Sequence, residues 1–494
     1  MRRPAWPVIL TLGAVKFAVA LYATGFYHYF RDELYFIACG RHLDWGYVDH
    51  PPLVAVYSWI GEHLGGSLRG FRFVTTLAGT LRVILTGVLT ARLGGNRAAQ
   101  ALACTAVLLA PIYLGIDNVL SMNSVEHVLW LACILVVVEI ANGASERWWL
   151  AFGALAGIGL QNKHSMLFLG FALTVGLLLT PLRRSLAKPW IWLGGALAVL
   201  IFLPNVLWEI RYGWPTLELL RNVKESGKNV VLAPGPFMVQ QAMMLNPFAA
   251  PLWIAGLIFL FRSSRYRVLA WTYAVLLVVF IRLEAKDYYV APIYPMLFAA
   301  GAVWLSSRKA LWVPQLALIV LGGVIAVPLA LPILPPPQYL AYQRALGVEP
   351  QASEVSHTSE MPQLFADQFG WEEMVAKVAR YYHTLPPAER AKTVIYASNY
   401  GEAGAIDFYG PRYGLPRAIS GHQNYYLWGY RDSTGDSVIL VGDDSPDPAM
   451  WQSLREFDRT NHPYAMPEEN MALYHARGLK APLSEVWPRV KTWR

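Results

Sequence analysis

The sequence predicts a polytopic α-helical membrane protein with about eleven transmembrane helices and a C-terminal α/β domain. Of its 494 residues, 55% are hydrophobic and 15% are charged, and the mean hydropathy is +0.34. That balance is too apolar for an ordinary soluble enzyme of this length. Apolar segments recur up to Leu331, and the composition changes sharply after that residue. These observations together predict a membrane part followed by a soluble domain.

The predicted membrane part contains segments that can cross a hydrocarbon core about 30 Å thick. They are residues 7–26, 73–91, 98–116, 125–141, 148–160, 165–181, 190–208, 237–261, 268–283, 288–305 and 311–331. The first segment could instead be a signal peptide, because Ala18-Val19-Ala20 offers a small-x-small cleavage site. It continues to Phe26, beyond the length of a signal peptide's apolar region, so we expect an uncleaved span.

Basic residues alternate along the chain in a way that predicts sidedness. Cytoplasmic loops carry an excess of Lys and Arg, and here every second loop is basic. The residues concerned are Arg2, Arg3, Arg92, Arg97, Arg147, Arg183, Arg184, Lys188, Arg262, Arg265, Arg267, Arg308 and Lys309. We therefore expect a cytoplasmic N-terminus, an odd number of crossings and an extracytoplasmic C-terminus. The net charge of +8 is explained by these loops, and we expect no nucleic-acid partner.

The last third of the chain has no segment fit to span a membrane. Several prolines between residues 332 and 337 predict a stiff linker, which divides the chain into residues 1–331 and 332–494. Residues 393–397 and 437–441 have the composition of buried strands, and residues 371–382 and 401–409 are typical of helices. The sequence therefore predicts a small α/β domain outside the membrane.

Charged, aromatic and proline residues are concentrated between Phe30 and Leu53. Asp32 and Glu33 are adjacent carboxylates near the predicted membrane surface, where partial desolvation suits a general base. His50 precedes two prolines, which restrict the backbone and would hold its side chain for a ligand contact. The alternatives are a solvated acid pair and a histidine at the start of a juxtamembrane helix.

The other predicted outer loops supply further polar side chains. Asp117 is a candidate acid, although its neighbours Asn118, Ser121 and Ser124 have residue types that commonly cap helices. Lys163 could equally extend towards lipid head groups, and the tyrosines after Lys286 could belong to an interfacial aromatic belt. A lysine beside two tyrosines also suits a phosphate diester. The candidates from these loops and from the first one are Lys286, Tyr288, Tyr289, Lys163, His164, Arg31 and Asp49.

The order of these motifs resembles the lipid-phosphate-dependent glycosyltransferases of the GT-C fold. The branch concerned contains the protein O-mannosyltransferases and the bacterial aminoarabinose transferase of lipid A. The similar motifs are Asp32-Glu33, Tyr47–Leu53, and Lys286–Tyr289 followed by Pro292 and Pro295. The resemblance covers about residues 10 to 305. Residues 398–404 and 409–414 resemble a C-terminal appendage of bacterial members.

This resemblance implies an enzyme of the bacterial inner membrane that uses a polyprenyl-phosphate-linked sugar donor. It would transfer the sugar with inversion to a hydroxyl of an extracytoplasmic lipid, glycan or protein. Asp32 would act as the base, supported by Glu33, with Asp117 as a second acidic site. The charge of the leaving phosphate would be met by His50, Lys286, Tyr288, Tyr289 and Arg211.

One position departs from the family. The aminoarabinose transferases have a lysine before the proline of the first loop, where this chain has His50. An unperturbed histidine is charged only below about pH 6.5, so phosphate binding there would depend on pH. The loops contain no convincing zinc motif, and we expect no obligatory metal. A divalent ion near Asp32 is the alternative.

Two other functions fit the same general architecture. A flippase or transporter of lipid-linked sugars would also have many spans and charged residues, although such sites lie near the bilayer midplane. A non-catalytic protein that binds an envelope polymer through residues 338–494 would depend on that domain and not on Asp32. The three cysteines predict neither a disulfide framework nor a thiolate cluster.

Overall fold

The computed structural model describes residues 2–350, 354–355, 359–443, 445–466 and 470–494. Its first part is helical because long apolar segments in lipid must satisfy every backbone hydrogen bond within the segment. The helices are α1 Trp6–Ala23, α2 Arg31–Gly40, α3 Leu53–His63, α4 Leu68–Phe71, α5 Phe73–Arg92, α6 Arg97–Leu108, α7 Pro111–Ile116, α8 Asn123–Ala141, α9 Trp148–Asn162, α10 Met166–Leu178, α11 Pro189–Arg211, α12 Pro215–Ser226, α13 Pro234–Met244, α14 Ala250–Arg262, α15 Arg267–Arg282, α16 Tyr294–Leu305 and α17 Lys309–Ala330.

Several of these helices can cross a membrane. Within the described ranges, six helical segments are long and apolar enough, one of which, Asp287–Leu305, is α16 together with the 3-10 turn before it. The number rises to eight if each of two bent pairs forms one span. The bends are 109° after α10 and 98° between α13 and α14. The prediction of a multi-pass helical membrane protein is therefore confirmed.

The number of crossings is not settled by helix length. Predicted segment 98–116 is divided in the structure, because α6 ends at Leu108 and Pro111 begins α7. Proline lacks the backbone N–H that a helix interior needs and is favoured at the first helical position. Helices α9 and α15 have 15 and 16 residues, fewer than a perpendicular crossing needs. The count of about eleven crossings therefore stays a prediction.

Glycines allow two helices of the membrane part to pack at backbone contact. A Cβ added to Gly256 of α14 would lie against the carbonyl oxygen of Leu297, and one added to Gly301 of α16 would lie against that of Leu252. Small residues at such crossings let helices approach closely, which is the main source of association energy where no water is expelled.

The C-terminal part contains a mixed sheet with helices packed against it. Its helices are α18 Pro336–Ala345, α19 Gln363–Ala366, α20 Trp371–Thr384, α21 Pro387–Arg390, α22 Tyr400–Tyr409, α23 Gln423–Trp428 and α24 Leu483–Val486. Its strands are β1 Thr393–Ala397, β2 Ala418–Ile419, β3 Ser437–Val441, β4 Trp451–Arg459 and β5 Ala472–Leu479. The order is β2-β1-β3-β5-β4, in which β1 runs parallel to β2 and β3 and β5 runs antiparallel to its neighbours. The predicted α/β domain is confirmed, and β1 and β3 match the predicted strands.

The two predicted domains share a hydrophobic core. Side chains of α2 and α3, including Phe36 and Tyr57, belong to one buried cluster with Val378 of α20 and Ile406 of α22. The proline-rich segment after Leu331 leads directly into α18, which begins at Pro336. The division at residue 331 stays a prediction, and the shared core places α2 between the membrane helices and the sheet.

We expect Gly301→Ala to destabilise the protein, because the added methyl group meets the Leu252 backbone, which cannot move aside as a flexible side chain can. Overpacking of this kind costs about 1–3 kcal/mol. Gly195→Ala is the matched control, since a Cβ at that position of α11 has no heavy atom within 4 Å. Unfolding temperatures in detergent would measure the difference, and equal temperatures for the two variants would contradict the assignment.

Candidate active site

The candidate site is built around the first turn of α2. Phe30 is the N-cap residue, and its backbone N–H donates to Glu33 Oε2 at 2.8 Å. Acidic residues are favoured in the first turn of a helix, because the free N–H groups carry partial positive charge. The local sequence therefore fixes both Asp32 and Glu33 at the start of α2, and their roles depend on where each side chain points.

Asp32 is the accessible carboxylate of the pair. Its side chain is 36% exposed, and its Oδ1 accepts a hydrogen bond of 2.8 Å from the hydroxyl of Tyr400. The Nε of Arg31 lies 3.8 Å from the same oxygen. Asp49 and Tyr288 are also within electrostatic range. Asp32 therefore combines access to solvent with neighbours from four separate segments.

Glu33 points in another direction and is completely buried. Arg72 contacts both carboxylate oxygens, with Nε donating to Oε1 and Nη2 to Oε2, each at 2.8 Å. The backbone N–H of Leu120 adds a bond of 2.6 Å to Oε1. A buried carboxylate is stable only when it is paired and hydrogen-bonded in this way. Glu33 thereby links α2 to α5 and to the segment before α8.

Asp117 is likewise buried, at the end of α7. Its Oδ2 lies 2.7 Å from Lys16 Nζ and 2.5 Å from Arg82 Nη2. Arg82 also contacts the ring nitrogen Nδ1 of His127 at 3.2 Å. This group of charges connects α1, α5, α7 and α8 inside the helical bundle. The predicted role of Asp117 as a second acidic site therefore has no exposed carboxylate to support it.

His50 is buried beside Asp49. Its Nδ1 donates to the carbonyl oxygen of Pro51 at 2.9 Å, since a carbonyl can only accept, and its ring stacks on Tyr47. Its Nε2 lies 3.8 Å from Oδ1 of Asp49. The same Asp49 oxygen accepts a bond of 2.9 Å from Tyr35. Burial raises the pKa of Asp49, and His50 and Tyr35 oppose that shift.

A second set of predicted residues lies beside Tyr288. Lys163 Nζ donates to Asn123 Oδ1 and to Glu126 Oε2, each at 2.9 Å, and it lies 4.6 Å from the centroid of the Tyr289 ring. These contacts are with protein groups, whereas the alternative interpretation expected lipid head groups. Asp32 and Glu126 are both within electrostatic range of Tyr288, so this set lies near Asp32.

The remaining predicted residues differ in how they relate to Asp32. His164 contacts Asn205 Oδ1 at 3.1 Å and is within electrostatic range of His50. Lys286 is half-buried and within range of Glu354, which also faces Arg31 at 3.9 Å. Arg211 is exposed in the last turn of α11, and its guanidinium lies 5.5 Å from the centroid of the Tyr212 ring. The described contacts do not bring Arg211 to the group around Asp32.

Some residues of the site were not predicted from the sequence. Tyr400 and Arg72 contact the acid pair directly, and Tyr35 contacts Asp49. Segment 398–404 resembles a family appendage, and this resemblance is the sequence signal that points to Tyr400. Arg72 precedes α5 and resembles any basic residue that flanks a span, so its pairing with Glu33 has no sequence signature.

Metal binding was also considered. Among the described residues, no group of three or more His, Cys, Asp or Glu side chains could hold a metal ion. Asp32 and Asp49 are two carboxylates within electrostatic range of each other. Their oxygen atoms are the ligands that a divalent ion near Asp32 would use. The expectation that no metal is obligatory stays a prediction.

Comparison with known proteins relates this arrangement to glycosyltransferases. A family model described as dolichyl-phosphate-mannose-protein mannosyltransferase matches residues 49–208. The lipid A galacturonosyltransferase RgtD of Rhizobium johnstonii is 25% identical over 449 residues, which cover 85% of this chain and 90% of RgtD.

Solved structures give the fold. The crystal structure of ArnT from Cupriavidus metallidurans in the apo state aligns with a TM-score of 0.62 at 15% identity, covering 96% of this chain and 98% of ArnT. The chain is a membrane glycosyltransferase of the GT-C fold. The same ArnT bound to undecaprenyl phosphate aligns with this GT-C enzyme at a TM-score of 0.63 and 15% identity, covering 95% of this chain and 98% of ArnT. The sequence-based prediction of fold and enzyme class is confirmed.

We expect Glu33→Gln to lower the free energy of unfolding by about 3–5 kcal/mol, because it leaves Arg72 as a buried, uncompensated charge in this GT-C enzyme. Glu62→Gln is the matched control, since Glu62 pairs with Arg41 at 2.9 Å where both side chains are partly exposed. Such a pair contributes about 0–1 kcal/mol. Thermal unfolding in detergent would test this, and a Glu33→Gln protein as stable as Glu62→Gln would rule out the anchoring role.

Proposed function

We propose that this GT-C enzyme transfers a sugar from a polyprenyl-phosphate donor to an acceptor hydroxyl, with Asp32 as the general base. The observation that carries this proposal is the contrast between the three predicted acids. Asp32 is partly exposed, whereas Glu33 and Asp117 are buried and paired with arginine or lysine. A base must reach the proton that it removes, which favours Asp32.

The proposed reaction is a single displacement. The acceptor oxygen forms a bond to the anomeric carbon as its proton passes to the Asp32 carboxylate. The bond between that carbon and the phosphate oxygen breaks, and the polyprenyl phosphate leaves with the electron pair. The sugar is inverted because the acceptor attacks from the face opposite to the leaving phosphate. The role of the protein is to orient both oxygens and to stabilise the charge on the phosphate.

The donor phosphate is proposed to bind between His50 and Lys286. The Nε2 atom of His50 lies 3.8 Å from Asp49 Oδ1 and can donate when it carries a hydrogen. Tyr288 and Tyr289 supply hydroxyl groups on the neighbouring segment, and Lys163 lies over their rings. The fold match to ArnT bound to undecaprenyl phosphate supports a polyprenyl phosphate as the carrier. Arg211 is the weakest of the proposed phosphate contacts, because it lies in the exposed last turn of α11.

In this proposal the buried acids have supporting roles. Glu33 holds α2 to α5 through Arg72, and Asp117 connects four helices through Lys16 and Arg82. The first arrangement fixes the direction in which Asp32 leaves α2, and the second holds helices of the membrane part together. Removal of either carboxylate would then reduce activity through the fold and not through the chemistry.

The acceptor and the sidedness are also proposals. RgtD is named as a lipid A galacturonosyltransferase, so lipid A is the first acceptor to test. The alternation of basic loops supports a cytoplasmic N-terminus and a C-terminal sheet domain on the outer face of a bacterial inner membrane. The transfer would then occur outside the cytoplasm, with the lipid-linked sugar as the donor.

We expect Asp32→Asn to reduce transfer by at least about 100-fold, because general-base catalysis is commonly worth that factor or more. The assay would use purified protein, undecaprenyl-phosphate-linked galacturonic acid or mannose as donor, and lipid A or a serine-containing peptide as acceptor. Product would be measured by mass spectrometry. Binding of undecaprenyl phosphate alone should persist, because Asp32 is not a proposed phosphate ligand.

Asp436→Asn is the matched control for this experiment, since Asp436 is an exposed acid that pairs with Lys392 next to the first residues of β3 and β1. It should keep wild-type transfer. Full activity of Asp32→Asn would refute the role of Asp32. Wild-type protein that binds undecaprenyl phosphate and transfers neither sugar would instead favour a flippase or a binding protein.

A further inference from the structure

The C-terminal domain contacts the proposed base through the side chain of Tyr400. The hydroxyl of Tyr400, the first residue of α22, donates to Asp32 Oδ1 at 2.8 Å. These residues are 368 positions apart in sequence, and they belong to the two predicted domains. Burial, together with the nearby Asp32 carboxylate, raises the pKa of Tyr400, so its hydroxyl remains a donor at physiological pH.

The position of Tyr400 is fixed by its own surroundings. Asn399 caps α22, accepting from the N–H groups of Gly401 and Glu402. The N–H of Tyr400 donates to Nδ1 of His422 at 3.3 Å, and burial lowers the pKa of His422 to about 3, which keeps that nitrogen an acceptor. The ring of Tyr400 packs on that of Tyr35, with centroids 4.9 Å apart.

Helix α22 is also held against α2 at backbone distance. A Cβ added to Gly404 would lie 2.7 Å from the backbone carbon of Leu34, and one added to Gly401 would contact the Arg31 side chain. The backbone N–H of Arg31 donates to the carbonyl oxygen of Asp367 at 3.0 Å. Arg31 is further paired with the Asp367 carboxylate at 3.5 Å. The start of α2 is therefore positioned by α22 and by Asp367.

We propose that Tyr400 is a positioning residue for Asp32, by which the C-terminal domain orients the base and keeps it ionised. This inference rests on the proposed function of Asp32. A hydrogen bond donated to a carboxylate favours its ionised form, and a neutral donor does so without adding a cation that the donor phosphate would attract away from Asp32. The C-terminal domain then forms part of the active site, in addition to any role in binding the acceptor.

Other groups facing Asp32 must be included in this argument. Arg31 on the same helix lies 3.8 Å from Asp32 Oδ1, and Asp49 of the first loop is within electrostatic range of Asp32. Tyr288 of the segment before α16 is within electrostatic range, although the hydrogen bond on Oδ1 comes from Tyr400. Replacing Tyr400 leaves Arg31, Asp49 and Tyr288 in place, so a change in the titration of Asp32 would report the lost bond.

The test is a titration of Asp32 that does not require turnover. Purified protein is treated with a water-soluble carbodiimide and an amine over a range of pH, and labelling of Asp32 is measured by peptide mass spectrometry. Carbodiimides react with the protonated carboxyl group. We expect Tyr400→Phe to move the midpoint of labelling upwards by roughly 0.5–1 pH unit, the size expected for a lost bond to a partly exposed carboxylate.

Tyr425→Phe is the matched control, because Tyr425 lies in the same domain and donates to a different carboxylate, that of Asp407, at 3.1 Å. It should leave the Asp32 midpoint unchanged. If Tyr400→Phe does not fold, 3-fluorotyrosine in place of Tyr400 keeps the ring and strengthens the donor, and should move the midpoint downwards. A midpoint equal to that of the wild type in whichever of these proteins folds would overturn the proposal.

Activity separates this inference from the proposed function. With undecaprenyl-phosphate-linked galacturonic acid and lipid A, Tyr400→Phe should reduce kcat about tenfold with the donor KM unchanged, and its acid limb should move to higher pH. A changed KM with an unchanged pH profile would contradict a positioning role. Absence of transfer by the wild type counts against the proposed function, whereas the labelling experiment still decides the role of Tyr400.

Discussion

The buried pair of Glu33 and Arg72 is the interaction on which the candidate site depends. Successive residues of an α-helix point about 100° apart, so fixing Glu33 towards α5 directs its neighbour Asp32 elsewhere. Arg72 binds both oxygens of Glu33, and a bidentate pair restrains rotation as well as distance. The exposure of Asp32 is therefore a consequence of the burial of Glu33. Glu33 anchors α2 to the membrane part, and the neighbouring Asp32 is left partly exposed, where the proposed substrate would bind.

The same physical constraint explains why residue type alone does not distinguish a structural acid from a reactive one. Charges within a membrane protein are costly and often mark a functional site, which made Asp117 a reasonable candidate. The structure pairs Asp117 with Lys16 and Arg82, residues from two other helices. Ionic pairing and catalysis demand the same residue types, and only the partners distinguish them. Those partners are distant in sequence, so the distinction could not be predicted from local patterns.

The elements of the fold were predicted best where one local signal decides them. Residues 393–397 and 437–441 are short apolar runs and form strands β1 and β3. Strands β4 and β5 were missed, because β4 carries charged residues on an exposed edge and β5 contains Arg477, Gly478 and a buried His475. Their apolar periodicity is weak, and their structure is determined by strand pairing, of β5 with β3 and of β4 with β5. The contact of α22 with α2 was beyond sequence analysis for the same reason.

The neighbours of Asp32 are arranged in a way that suits an inverting transfer. Groups suited to the donor phosphate, such as His50 and Tyr288, come from the loops of the membrane part, where the lipid carrier must approach. Tyr400 and the rest of α22 come from the C-terminal domain. An inverting displacement requires the acceptor and the leaving phosphate on opposite faces of the sugar. The proposed base, Asp32, lies between the membrane part and the C-terminal domain, so it can contact the acceptor while the donor phosphate is bound on the other side. If Asp32 is the base, the contact between α22 and α2 serves the proposed chemistry as well as the fold.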